Sequence, residues 1–229
     1  MDTKRKSDKS VDEQAASLRE TTAGLALVAG DMELVPDLTH MLPRIAQNRL
    51  GKELLVRAAR VRGAGAEPLA VDATAGLGED ALLLSAAGFR VVMYESDPTI
   101  AALLRDALRR AATEPALARV CARMELREED SVAALRGMGE LAQEERPAVV
   151  YLDPMFPERR KSAAVKKKFQ LLHYLERPCA NEDELLAAAL AACPRKVVVK
   201  RPVKGPYLAG MKPSHSLAGK AVRYDCYVR

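Results

Sequence analysis

The chain is poor in the residues that build metal and disulfide frameworks. Its four cysteines, Cys121, Cys179, Cys193 and Cys226, are scattered and form no Cys-x-x-Cys pair. This argues against structural zinc and points to a reduced, cytoplasmic protein. The three histidines, His40, His173 and His215, are equally dispersed, so no metal-ligand cluster is expected. No apolar run is long enough to span a bilayer, and the N-terminus carries no signal-peptide core. There is no internal repeat. What remains is ordinary for a soluble globular protein: 48% hydrophobic and 29% charged residues over 229 positions, a length that suits one α/β domain with an appendage. The net charge of +5 is mild, and its distribution matters more than its sum.

The chain divides into three parts. Residues 1–20 are polar and read as a disordered tail. Residues 21–67 form an extension. Gly24 to Val28 and Met32 to Val35 flank a Gly30-Asp31 turn and suggest a β-hairpin. From Leu38 to Val61, apolar residues recur at helical intervals, interspersed with Arg44, Arg49, Lys52, Arg57, Arg60 and Arg62. This suggests one or two amphipathic helices with a basic face, a solvated surface being the simplest reading. Residues 68–229 are the main domain.

That domain is organised around Val71-Asp72-Ala73-Thr74-Ala75-Gly76-Leu77-Gly78-Glu79-Asp80. An apolar run precedes it and a buried helix follows, so it reads as a strand, a glycine turn and a helix start. In an open α/β sheet, ligands bind at that kind of junction. Gly76 and Gly78 let backbone approach a ligand, and Asp72 can accept a hydrogen bond or balance a positive charge. An ordinary strand-turn-helix would look similar. The spacing Asp-x-x-x-Gly-x-Gly resembles the first motif of class I S-adenosylmethionine-dependent methyltransferases.

Downstream, Phe89 to Tyr94 reads as a second strand ending at Glu95-Ser96-Asp97-Pro98. Glu95 stands 23 positions after Asp72, where an acid is suited to hydrogen-bonding a ribose. Asp97 and Pro98 look like an N-cap and the first helical residue. Arg123 to Arg127 is a plausible third strand. The Asp130-Ser131 that follows either faces a nucleotide or caps a helix. Ala148 to Leu152 is a continuous apolar run, as expected for a strand buried on both faces. It leads into Asp153-Pro154-Met155-Phe156-Pro157, an exit that resembles the catalytic motif of methyltransferases acting on exocyclic amines of bases, with Met155 in place of a second proline. Arg159, Arg160, Lys161, Lys166, Lys167 and Lys168 follow at once, a density of cations suited to gripping nucleic-acid phosphates. Lys200, Arg201 and Lys204, at the end of the strand Arg195 to Pro202, extend a positive rim. Ala221 to Val228 alternates and is expected to close the sheet as an edge strand.

Three stretches together resemble the RsmJ (YhiQ) family: Val71 to Gly78, Tyr151 to Pro157 with its Lys161 to Lys167 continuation, and Val197 to Pro202. The resemblance implies a Rossmann-like α/β fold with a mostly parallel seven-stranded sheet and helices on both faces. It implies S-adenosylmethionine as donor and the exocyclic 2-amino group of a guanine in small-subunit (16S) ribosomal RNA as acceptor. Ribosomal RNA or the small ribosomal subunit is then the partner. Family cofactor contacts carry over to Glu79, Asp80, Glu95, Ser96, Asp130, Ser131 and Asp153. Glu79 and Ser96 stand where arginines are expected, and Leu42 to Arg62 replaces a glycine-rich basic stretch.

As an expectation, Asp153 and the Pro154 carbonyl accept the amine N–H groups and Phe156 stacks on the base. Within enzymes, another RNA, DNA or protein is the alternative acceptor. An NAD-linked oxidoreductase lacks support, because the turn is no full Gly-x-Gly-x-x-Gly. A non-catalytic RNA-binding relative would not need Asp153 and Phe156.

Overall fold

The computed structural model describes residues 16–154 and 181–229. Residues 1–15 of the expected tail lie outside these, as do Met155, Phe156 and the whole run Arg159, Arg160, Lys161, Lys166, Lys167 and Lys168.

The main sheet has seven strands, of which the central ones have the apolar composition of a two-sided core. They are β4 (Leu69–Asp72), β5 (Arg90–Tyr94), β6 (Met124–Arg127), β7 (Val149–Leu152), β8 (Lys196–Pro202), β9 (His215–Ala218) and β10 (Val222–Val228). They lie in the order β6-β5-β4-β7-β8-β10-β9. The first five are parallel, and β10 runs antiparallel between β8 and β9. This is the seven-stranded, mostly parallel sheet implied by the family resemblance. The edge assignment needs correction. β10 is interior and β9 is the edge. Tyr224, Cys226 and Tyr227 in β10 are buried, whereas His215, Ser216 and Ala218 in β9 are exposed.

Alternate residues of the central strands feed two cores. On one face, Ala70, Val149, Tyr151 and Val198 pack with α3 (Leu54–Ala59), α4 (Glu79–Ala86), α5 (Pro98–Thr113) and α6 (Pro115–Cys121). On the other, Val71, Val150, Leu152, Val197 and Val199 pack with α7 (Ser131–Met138) and α8 (Glu182–Ala191). Each fully buried Val or Leu contributes roughly 1.5–3 kcal/mol. As read from the sequence, Asp97 caps α5, accepting from the backbone N–H groups of Thr99 and Ile100.

The extension differs from expectation in two ways. β1 (Ser17–Thr21), β2 (Gly24–Ala29) and β3 (Met32–Leu34) form a three-stranded antiparallel sheet, so residues 17–20 pair with β2 rather than continue a tail. Leu27, Ala29 and Leu34 of this sheet bury against Leu103 of α5. The segment from Leu38 is not one or two long helices. A 3-10 turn at Leu38–Met41 leads into α1 (Leu42–Ile45), α2 (Gln47–Leu50) and α3. The breaks fall at Ala46 and Glu53, whose ψ angles of 139° and 128° interrupt the helical hydrogen bonding.

Candidate active site

The strand register assembles the site. Asp72 stands beside Tyr151, and Tyr151 beside Val198. One level further along the same face are Thr74, Asp153, Lys200 and Tyr224; Lys200 and Tyr224 are direct partners across β8 and β10. Residues two apart on a strand share a face, so one side of the sheet gathers this polar row at the carboxyl ends of its parallel strands. Ligands bind at that end in open α/β sheets.

The glycine turn is stitched to its neighbours on both sides. Ala73 donates its backbone N–H to the Tyr151 carbonyl (3.0 Å), and Ala75 to the Tyr94 carbonyl (3.0 Å). Gly76 and Gly78 have φ of +53° and +77°, a left-handed conformation that side chains disfavour. A Cβ on Gly78 would lie 2.7 Å from Leu104 Cδ1, whereas nothing lies within 4 Å of a Cβ on Gly76. The Gly76 side of the turn therefore leaves room for close backbone approach. Glu95 accepts from Gly76 N–H (3.0 Å) on one carboxylate oxygen and from Asp97 N–H (2.9 Å) on the other. A carboxylate has about four acceptor positions, so Glu95 keeps capacity for ribose hydroxyls. Burial pushes its pKa above the usual carboxylate value, against the lowering effect of those backbone donors.

The centre of the row is an ion network. Lys200 Nζ donates to Asp153 Oδ2 and to Asp80 Oδ2, each at 2.8 Å. The Tyr151 hydroxyl donates to the same Asp80 oxygen at 2.6 Å. Asp153 N–H donates to Thr74 Oγ1 at 2.7 Å. The carboxylate of Asp153 is thus fixed from its backbone and its tip. Burial raises the pKa of Asp153, and Lys200 opposes that rise. Burial alone would lower Lys200, but Asp80 and Asp153 hold it above the ordinary lysine value. Asp72 is fully enclosed. Burial pushes it up to about 8, although Thr74 N–H binds its carboxylate. Three carboxylates here face one ammonium. With Asp72 protonated near neutral pH, the cluster retains one net negative charge, which suits a cation at this end of the sheet.

Other expected residues are placed differently. Asp130 caps α7, accepting from Val132 and Ala133 N–H groups, and Ser131 is buried as the first helical residue. Both lie at the carboxyl end of β6, two strands from β4. Ser96 is exposed beside Glu95. Glu79 is exposed and lies 3.2 Å from His40 Nε2 of the extension. Two members of the expected positive rim are corrected. Lys200 is committed to Asp80 and Asp153. Arg201 has its side chain fully buried on the opposite face of β8, where Nε donates to the Pro206 carbonyl at 3.0 Å. Strand alternation turns these neighbouring cations to opposite faces, and neither forms a rim for RNA.

Sequence reasoning missed Thr74, Tyr151 and Tyr224. Tyr151 carried a signal, as the polar member of an apolar strand two residues before Asp153. Tyr224 carried none before its register with Lys200 was known.

The turn, the acceptor at the end of β5 and the net negative cluster fit a nucleoside bearing a positive sulfonium. Among the described residues there is no group of three or more His, Cys, Asp or Glu side chains arranged to hold a metal ion, and no helix is long and apolar enough to cross a membrane.

Comparison with known proteins agrees with this geometry. The family model described as "Putative SAM-dependent methyltransferase" matches residues 11–229. Ribosomal RNA small subunit methyltransferase J of Cellvibrio japonicus is 46% identical over 182 residues, covering 77% of this chain and 67% of that one. The protein of the same name from Thioalkalivibrio sulfidiphilus is 44% identical over 185 residues, covering 81% and 71%. A crystal structure of a SAM-dependent methyltransferase from Neisseria gonorrhoeae superposes with a TM-score of 0.74 at 31% identity, covering 94% of this chain and 84% of that one. The chain therefore belongs to the ribosomal RNA small subunit methyltransferase J family and is an S-adenosylmethionine-dependent methyltransferase.

Proposed function

We propose that this enzyme methylates the exocyclic 2-amino group of a guanine in small-subunit ribosomal RNA, in the cytoplasm. The observation that carries the reading is the fixed Asp153 carboxylate at the end of β7, beside the glycine turn. The names of its relatives support the choice of RNA.

An exocyclic amine is a poor nucleophile because its lone pair is delocalised into the ring. Asp153 and the Pro154 carbonyl accept the two amine N–H bonds, localise the lone pair and aim it. S-adenosylmethionine supplies an activated methyl group when bound. The protein's task is therefore positioning, with reacting atoms about 3–3.5 Å apart. Gly76 and Glu95 face the donor's side, with Asp72 enclosed behind the turn, Gly78 packed on Leu104 and Asp130 and Ser131 opening the helix after β6, while Asp80 acts through Lys200. Phe156 stacks on the base and the cations from Arg159 to Lys168 grip phosphates. The target base must be splayed out or lie in an unpaired loop to reach the site.

Asp153→Ala tests the assignment. It is expected to lower transfer to ribosomal RNA at least about 100-fold, with S-adenosylmethionine binding by calorimetry largely kept. Near-wild-type turnover would remove Asp153 from catalysis.

A further inference from the structure

Beside the ion network the extension and β10 line an open cleft of about 430 Å³, whose polar lining comes from Arg44, Arg49, Lys52, Glu53 and Tyr224, with Leu54 and Val222 as apolar walls. The volume lies within the range of ligand pockets. The charge is uneven. Glu53 holds the guanidinium of Arg44, with Nε to Oε1 at 3.1 Å and Nη2 to Oε2 at 2.8 Å. That pair offsets itself. Arg49 and Lys52 are exposed, and among the described residues neither side chain has a partner. Glu53 is the only acid in the lining, so the cleft carries a net charge of +2.

Its location matters as much as its charge. Tyr224 is shared between the cleft and the site. It pairs in register with Lys200, and burial together with the nearby Asp80 and Asp153 carboxylates holds its hydroxyl in the protonated form. A polyanion lying in the cleft is therefore carried to the edge of the Asp80–Lys200–Asp153 network. Two observations explain why the cations sit there. Extended backbone at Ala46 and Glu53 isolates α2 as a single turn. Leu54 at the start of α3 packs against the β9–β10 turn, where a Cβ on Gly219 would meet it at 2.7 Å.

We infer that this cleft binds the phosphate backbone of the RNA substrate next to the target nucleotide, with Arg49 and Lys52 as the phosphate contacts. The inference rests on the RNA-methylating function proposed above and places part of the grip on the extension. Phosphate contacts position the nucleic acid without reading bases.

The test uses the full chain and small-subunit ribosomal RNA, with binding measured across a salt series. Each phosphate contact contributes about 0.7 to 0.9 to the slope of log K against log salt. Arg49→Ala/Lys52→Ala is expected to flatten that slope by about 1.5 and to weaken binding, with S-adenosylmethionine affinity by calorimetry unchanged. Arg90→Ala/Arg119→Ala, which removes two exposed cations elsewhere, is expected to leave the slope close to wild type. An unchanged slope in the Arg49/Lys52 variant, or an equal change in both variants, overturns the inference. Failure of the underlying function is seen separately, in the wild-type enzyme, as no methyl transfer to ribosomal RNA.

Discussion

Lys200 shows how position decides the role of a charged residue. In sequence it is one of several cations after an apolar strand. In the structure its ammonium joins Asp80 and Asp153 at 2.8 Å each. It holds the Asp153 carboxylate in one orientation and opposes the upward push of burial on its pKa. Lys200→Met is therefore expected to lower kcat about 10- to 100-fold. It also has a pH signature. Without the ammonium, the pKa of Asp153 rises further, so the carboxylate proposed to accept the amine N–H forms only at higher pH. The acidic limb of kcat/KM against pH should move upward, and Lys200→Arg should return it toward wild type because the charge is kept. An acidic limb that stays in place in Lys200→Met would mean that Lys200 does not act on Asp153.

Among the elements, the turn between β4 and α4 makes a graded prediction. Gly78 has positive φ and no space beside Leu104, whereas Gly76 has positive φ and open space. Gly78→Val combines backbone strain with overpacking and is expected to cost about 1–3 kcal/mol, read as a lower Tm. Gly76→Ala carries the backbone strain alone, about 1–2 kcal/mol, and its larger effect should be on donor affinity. A Gly76→Ala enzyme with wild-type donor affinity would argue against close ligand approach there. The elements also show what could be read in the chain. β4, β5 and β7 were legible because they are short apolar runs ending in acids, the mark of parallel strands buried on both faces. β9 was missed because His215-Ser216-Leu217-Ala218 has one apolar member of any size and only its pairing with β10 makes it a strand. The helices of the extension were legible as apolar periodicity but not as separate turns, because periodicity passes through Ala46 and Glu53 without registering their extended backbone. At the site, Asp72, Gly76 and Glu95 were legible from motif spacing. The roles of Lys200 and Arg201 were not, since a sequence records charge but not the face on which register places it.

For the molecule as a whole, one carboxylate adds a polar tie between the N-terminal sheet and α5, beside the Leu27–Leu34–Leu103 packing. Asp106 of α5 accepts the Leu25 N–H at 2.9 Å and Arg110 Nε at 2.7 Å. Burial alone would raise the pKa of Asp106, but the Leu25, Arg110 and Arg109 donors bring it down to about 2. The unfolded chain takes up this proton near pH 4. The group therefore adds stability above about pH 4, and that contribution is lost as pH falls from 4 toward 2. Asp106→Ala is expected to cost about 1–3 kcal/mol at neutral pH, with faster hydrogen exchange across residues 24–34. Unchanged exchange there would mean that the sheet is held by Leu27, Leu34 and Leu103 alone. The same architecture joins the extension to the reaction site, through His40 beside Glu79 and through the cleft at Tyr224. On the proposed reading, RNA binding and methyl transfer meet on one face of one sheet. The most direct test of that account is transfer of labelled methyl from S-adenosylmethionine to small ribosomal subunits, naked ribosomal RNA, DNA and protein, with the labelled nucleotide then mapped. The prediction is label on the 2-amino group of a single guanine in small-subunit RNA, absent with Asp153→Ala. Label on DNA, on protein or on another position of the base would contradict it.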